Sequence, residues 1–146
     1  MGALTRTAGQ KIYLDANLFI YALEAAEPWV AVTRQLFEDL DAGVCSAVTS
    51  ELSLAECLVK PFQLKRSDLA ETYLRLLQSR PELQVVPVTR GILTAAAKLR
   101  ADSRMKLPDA IHAVTGILAD CTLLLTNDDR FGSPPGLQVV PLEKLQ

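Results

Sequence analysis

The spacing of apolar positions changes several times along the chain, and each change marks an element. Lys11 to Asp15, KIYLD, is a short β-type run that ends in an acid. Asn17 to Leu23 follows as a helix or an extended turn. Val32, Leu36, Phe37 and Leu40 fall at helical spacing, with Pro28 suited to the first turn and Gly43 to the end. Val44 to Val48 predicts a second strand. Thr49 or Ser50 then caps a helix to about Val59, with Leu52, Ala55, Leu58 and Val59 as its stripe and Pro61 as its stop. Ser67 opens another helix, which presents Leu69, Tyr73, Leu76 and Leu77 and ends by Pro81. Leu83 to Val88 predicts a third strand, and Thr89 caps a helix to about Asp102. Beyond the polar connector Ser103 to Lys106, a helix spans Pro108 to Leu118. Thr122 to Leu125 and Leu137 to Val140 predict two last strands, around a loop rich in Gly and Pro.

Short strands alternate with helices, which predicts an α/β domain with a mainly parallel sheet of four to five short strands. Met1 to Gln10 reads as a flexible leader, and residues 11–146 read as one domain without linker or repeat. A chain of 146 residues with 49% hydrophobic residues can bury a core, so disorder is not expected. The net charge of −2 gives no global support for nucleic-acid binding, which leaves that work to a local cluster. Cys45, Cys57 and Cys121 are odd in number and show no CxxC spacing. They predict neither a disulfide framework nor a zinc site, and a reduced, cytoplasmic compartment is the simpler expectation. The first ten residues lack an apolar signal region, and the best membrane candidate, Ala110 to Leu125, is interrupted by His112 and Asp120.

The chemistry lies in acids at the ends of elements. Ligands of a parallel sheet bind beyond the carboxyl ends of its strands. Asp15 ends the first strand, and Asp128 follows the fourth. Glu56 lies in the helix after the second strand, and Asp109 lies in the first turn of its own helix. Singly, each has an ordinary explanation: a helix N-terminal acid, a turn residue or a solvated helix position. If the four strands are parallel, the four acids can converge. Converging carboxylates repel one another and require protons or cations. Hard oxygen ligands suit Mg²⁺ or Mn²⁺, and two such ions can hold the attacking and leaving oxygens of a phosphoryl displacement.

These residues also carry a family resemblance. Leu14-Asp15-Ala16-Asn17, followed by Leu18 to Ala22, resembles the opening motif of PIN-domain ribonucleases. Glu51 to Glu56 (ELSLAE), Leu107 to His112 (LPDAIH) and Thr126-Asn127-Asp128 with Phe131 are similar to the next three motifs, in the same order. The size and layout most resemble the toxin subunits of VapBC toxin–antitoxin pairs. The resemblance covers about residues 11 to 142. It implies a three-layer α/β/α fold and a Mg²⁺- or Mn²⁺-dependent endoribonuclease that leaves a 5′-phosphate and a 3′-hydroxyl. It also implies a homodimer and a small cognate antitoxin. Asp15, Glu56, Asp109 and Asp128 would be the catalytic, metal-holding quartet. Asn17, Thr126, Asn127 and Asp129 would support it. Ala16 departs from the Thr or Ser that is frequent in the family, which removes a possible hydroxyl contact. Asp129-Arg130 departs in order, which makes Asp129 a substitute ligand ranked below Asp128.

Arg100, Arg104, Lys106 and Arg130 bracket this region and are candidates for RNA phosphate contacts, against a plain solvated basic face. His112, the only histidine, follows Asp109 by three residues and so shares its helical face. It is expected to be a partly buried polar neighbour rather than a ligand. Tyr13 and the other aromatics are expected in the core. The alternative function is a non-cleaving PIN-fold module that binds RNA or protein. A phosphatase with Asp15 as nucleophile fits poorly, because Asn17 stands where a second Asp is wanted.

Overall fold

The computed structural model describes residues 4–145, with Met1, Gly2, Ala3 and Gln146 outside the described residues. Five strands form one sheet: β1 (Lys11–Leu14), β2 (Ser46–Ser50), β3 (Leu83–Val86), β4 (Leu123–Thr126) and β5 (Gln138–Pro141). Their order is β3-β2-β1-β4-β5, and every pairing is parallel. The helices are α1 (Ala16–Leu23), α2 (Val30–Asp41), α3 (Glu51–Gln63), α4 (Ser67–Leu76), α5 (Arg90–Ala101) and α6 (Leu107–Leu118). A short 3₁₀ turn spans Leu142–Leu145.

Side-chain alternation along the strands divides the core between two faces. Ile12 and Leu14 of β1 and Leu123 and Leu125 of β4 pack with Leu18, Phe19, Leu36, Leu40, Cys57 and Tyr73 from α1 to α4. Tyr13 and Leu124 point the other way, toward Ile92 and Ala96 of α5 and Ala110, Ala113 and Val114 of α6. The result is the three-layer α/β/α arrangement, with β1 and β4 buried on both faces as parallel sheets require.

Gly116 lets α6 approach β1 closely. A Cβ at this position would stand 3.3 Å from atoms of Tyr13 and 3.2 Å from Leu137. This contact sets the height of α6 above the strand and, one turn earlier, the position of His112.

Several expected boundaries move. The second strand is displaced toward Ser50, because Thr49 donates from Oγ1 to the Leu14 carbonyl at 2.8 Å while the Ser50 hydroxyl caps α3 at Leu52 N. Pro61 does not stop α3, which continues to Gln63. Near a helix end a proline removes only one backbone bond, and here the turn is closed by Leu64 N donating to Lys60 O and Arg66 N to Pro61 O. Pro28 precedes α2 rather than lying in its first turn. The leader is not loose from Leu4 onward. Leu4 is buried and its N–H donates to Asp39 Oδ2 at 2.8 Å; Gly9 N donates to Val44 O at 2.7 Å. Buried apolar and backbone groups with fixed partners tie this segment to the domain. All three cysteines are free and buried. Among the described residues, no helix is long and apolar enough to cross a membrane.

Candidate functional site

Parallel strands place the β1 and β4 carboxyl ends side by side, and the site is built there. Asp15 is the N-cap of α1, with extended backbone and a side chain only 9% exposed. Its backbone N–H donates to Leu125 O at 3.2 Å, so the sheet ladder itself sets the residue's height. Oδ1 accepts from Ala16 N at 2.7 Å and Oδ2 from Thr126 Oγ1 at 2.8 Å. Both carboxylate oxygens are thus aimed by short bonds. Position 16 gives this carboxylate its backbone N–H, and the one hydroxyl on it comes from β4.

Thr126 also fixes the next acid. Its Oγ1 accepts from Asp128 N at 3.0 Å, and Asp128 Oδ1 accepts from Arg130 N at 2.9 Å in a local turn. Asp109 stands in the first turn of α6, a helix that leads directly into β4, and it is half-buried. Glu56 is the sixth residue of α3 and reaches His112 across the site, with Nε2 to Oε1 2.6 Å. His112 is 1% exposed, and its other ring nitrogen is hydrogen-bonded to the Tyr13 hydroxyl.

Burial raises the pKa of Asp109 above the ordinary carboxylate value, and the charges of Asp128, Asp15 and Glu56 raise it further. Burial likewise raises Asp15, offset in part by His112 and the Thr126 hydrogen bond. Tyr13, desolvated beside Asp15, is held well above the usual phenol value. Among the described residues, neither Asp15 nor Asp109 has a Lys or Arg partner. Arg130 reaches only Asp128, at 3.5 Å from an exposed position. One carboxylate oxygen each of Asp15 and Glu56 and one ring nitrogen of His112 lie within 4.8 Å of one another, close enough for a single cation. Carboxylate oxygens gathered at a partly desolvated site, with no lysine or arginine on Asp15 or Asp109 among the described residues, fit a hard divalent ion.

A family model described as PIN domain matches residues 12–137. The chain belongs to the PIN domain family. Among solved structures, its fold is similar to VapBC2 from Rickettsia felis bound to a promoter DNA fragment. The TM-score is 0.67 at 18% identity, over 90% of this chain and 98% of that one. It is also similar to a toxin–antitoxin complex from Klebsiella pneumoniae, with TM-score 0.64 and 22% identity over 86% and 94%. VapC20 of Mycobacterium tuberculosis, described as a Sarcin-Ricin loop cleaving toxin, gives TM-score 0.67 and 15% identity over 82% and 92%. At these identities the likeness speaks to fold. Among curated protein sequences, none matches the chain.

Within this PIN fold the other sequence candidates fall into different places. Asn17 is half-buried in the first turn of α1. Asn127 turns its Nδ2 to the Tyr21 hydroxyl at 3.3 Å, toward α1 rather than the acids. Asp129 is exposed, while Asp128 faces Asp109 electrostatically. Arg104 and Arg130 meet along a groove of about 510 Å³ that also includes Met105, Phe131 and Pro134. Arg100 donates to Ser103 O at 3.3 Å, and Lys106 is the exposed N-cap position of α6. Tyr13 is in the core as expected, and His112 is fully rather than partly buried, with the Tyr13 contact not anticipated. The i, i+3 spacing from Asp109 was the available signal for His112, whereas Tyr13 looks like any core aromatic.

Proposed function

We propose that this PIN-domain chain is a cytoplasmic, metal-dependent endoribonuclease, the toxin component of a toxin–antitoxin pair. The observation that carries the reading is the cluster of Asp15, Glu56 and His112, close enough for one cation, with no lysine or arginine paired to Asp15 or Asp109 among the described residues; Asp109 and Asp128 join that site in this proposal. Family membership supports it, and so do similar folds in toxin–antitoxin complexes.

In this reading Asp15, Glu56, Asp109 and Asp128 hold Mg²⁺ or Mn²⁺, directly or through water. The cation supplies charge stabilisation for the phosphodiester and lowers the pKa of the attacking water. The chain's own work is orientation. Thr126 and the Ala16 N–H fix Asp15, the Thr126 oxygen and the Asp128–Arg130 turn fix Asp128, and the α6 start presents Asp109. Arg104 and Arg130 bind flanking phosphates along their groove. A homodimer and a small antitoxin that covers the site complete the proposal.

The test is cleavage of structured RNA by the purified chain with Mn²⁺, with end-group mapping of the products. EDTA or Asp15→Asn should abolish cleavage, and the products should carry 5′-phosphates. RNA binding without any cleavage would replace this reading with a non-cleaving RNA-binding module.

A further inference from the structure

Tyr13, His112 and Glu56 form a chain of hydrogen bonds that runs from the sheet interior to the site. Tyr13 lies on β1, is 0% exposed, and packs its ring edge against the 1%-exposed imidazole of His112. His112 Nε2 then meets Glu56 Oε1 at 2.6 Å, although the Glu56 side chain is 38% exposed. Among the described residues, every buried side-chain nitrogen and oxygen has a hydrogen-bond partner.

Proton bookkeeping gives this chain a direction. A carboxylate oxygen accepts, so the short Nε2–Oε1 contact is made when Nε2 carries the hydrogen. In the neutral ring Nδ1 is then an acceptor, and the phenol O–H can donate to it. With the hydrogen on Nδ1 instead, the phenol oxygen would have to accept, and Nε2 would have no hydrogen to offer the Glu56 carboxylate. From this geometry we infer that His112 is a positioning residue: Tyr13 fixes its Nε2–H tautomer, and Nε2–H aims the Glu56 carboxylate at the site.

A structural role alone accounts poorly for the arrangement. A hydrogen bond to a partly exposed carboxylate contributes little to stability, yet two fully buried polar side chains are committed to holding one flexible glutamate. The same logic governs Asp15, whose oxygens are held by Ala16 N and Thr126. Residues that fix a metal-binding group through its outer contacts commonly change metal affinity by about 10–100-fold when removed. The inference rests on the cation site proposed above. It assigns His112 to the oxygen ligand's support and not to the cation.

Two measurements on the full chain test it. The first is the ¹⁵N chemical shifts of the single histidine ring in the metal-free protein near neutral pH. The Nε2–H form is expected in the wild type, and an Nδ1–H form overturns the inference. The second is Mn²⁺ affinity without RNA, from the electron paramagnetic resonance signal of free Mn²⁺. Tyr13→Phe combined with His112→Leu removes both polar groups without stranding either, and is expected to weaken Mn²⁺ binding about tenfold or more. His112→Gln, which retains an N–H donor toward Glu56, is expected to recover most of that loss. Unchanged affinity in the double variant overturns the positioning role. Nitrogen coupling from His112 to bound Mn²⁺ also overturns it, by making the ring a ligand. A wild-type chain that binds no Mn²⁺ overturns the nuclease reading and the aiming role together. The tautomer measurement distinguishes that failure, since it reads the Tyr13–His112 bond alone.

Discussion

The Thr126 hydroxyl donates to Asp15 Oδ2 at 2.8 Å, and the same oxygen accepts from the Asp128 N–H at 3.0 Å. One buried side chain at the end of β4 therefore sets the orientation of an acid just past β1 and of another in the loop beyond β4. Removing it should leave a desolvated carboxylate short of a donor. Thr126→Val is expected to cost about 1–3 kcal/mol of stability, with Thr126→Ser close to wild type. Urea denaturation of the metal-free proteins decides this, and equal midpoints for Val and Thr would remove Thr126 from the account.

The raised carboxylates give stability a definite pH dependence. Asp109, raised by burial and by Asp128, and Asp15, raised by burial, bind protons more tightly folded than unfolded. Unfolding releases those protons. Their contribution to stability is therefore greatest below the ordinary carboxylate pKa of about 4 and declines as pH rises through the raised values. In EDTA, Asp109→Asn should show a shallower decline and a higher midpoint at neutral pH than the wild type. Superimposable pH profiles would refute this electrostatic description.

Cations should reverse that cost. Mn²⁺ is expected to raise the wild-type melting temperature in a concentration-dependent way, because it binds the folded site alone. In Asp109→Asn the same titration should give a clearly smaller rise. A rise of equal size in both proteins would place the cation elsewhere.

Gly116 controls the site from outside it. A methyl at this position meets Tyr13 at 3.3 Å and Leu137 at 3.2 Å, in a region with little room to yield. Gly116→Ala is expected to lose about 1–3 kcal/mol by overpacking, despite the better helix propensity of alanine. It should also weaken Mn²⁺ binding, as α6 carries both Asp109 and His112. Thermal denaturation showing a gain in stability would mean that α6 relaxes without strain.

The groove holding Arg104 and Arg130 predicts a salt effect. In an Asp15→Asn background, Arg104→Glu should weaken RNA binding and lower the slope of log affinity against log salt by about 0.7 for each lost phosphate contact. Filter binding at several salt concentrations measures it. An unchanged slope would return Arg104 to the solvated surface.

Much of the architecture was legible in the pattern of residues. Alternating short strands and helices specify a parallel α/β domain, since an apolar run of four residues between helices has few other solutions. Caps were legible too: Ser50 and Thr89 bond the first turns of α3 and α5, as their residue types favour. The ends of elements were not, because Pro61 and the polar end of β2 are settled by packing and by hydroxyl partners in neighbouring strands.

The sequence by itself marked Asp15, Asp109 and Asp128 at strand and helix ends and Glu56 within α3, because those positions follow from local periodicity and turn chemistry. The meeting of Asp15 with Thr126 was decided by tertiary structure alone: the order β3-β2-β1-β4-β5 sets β1 beside β4, although the two residues are 111 positions apart in the chain. The pairing of Tyr13 with His112 and of His112 with Glu56 was equally invisible along the chain. A hydrogen bond needs two groups at a set distance and angle, and local spacing fixes neither for groups brought together by the fold.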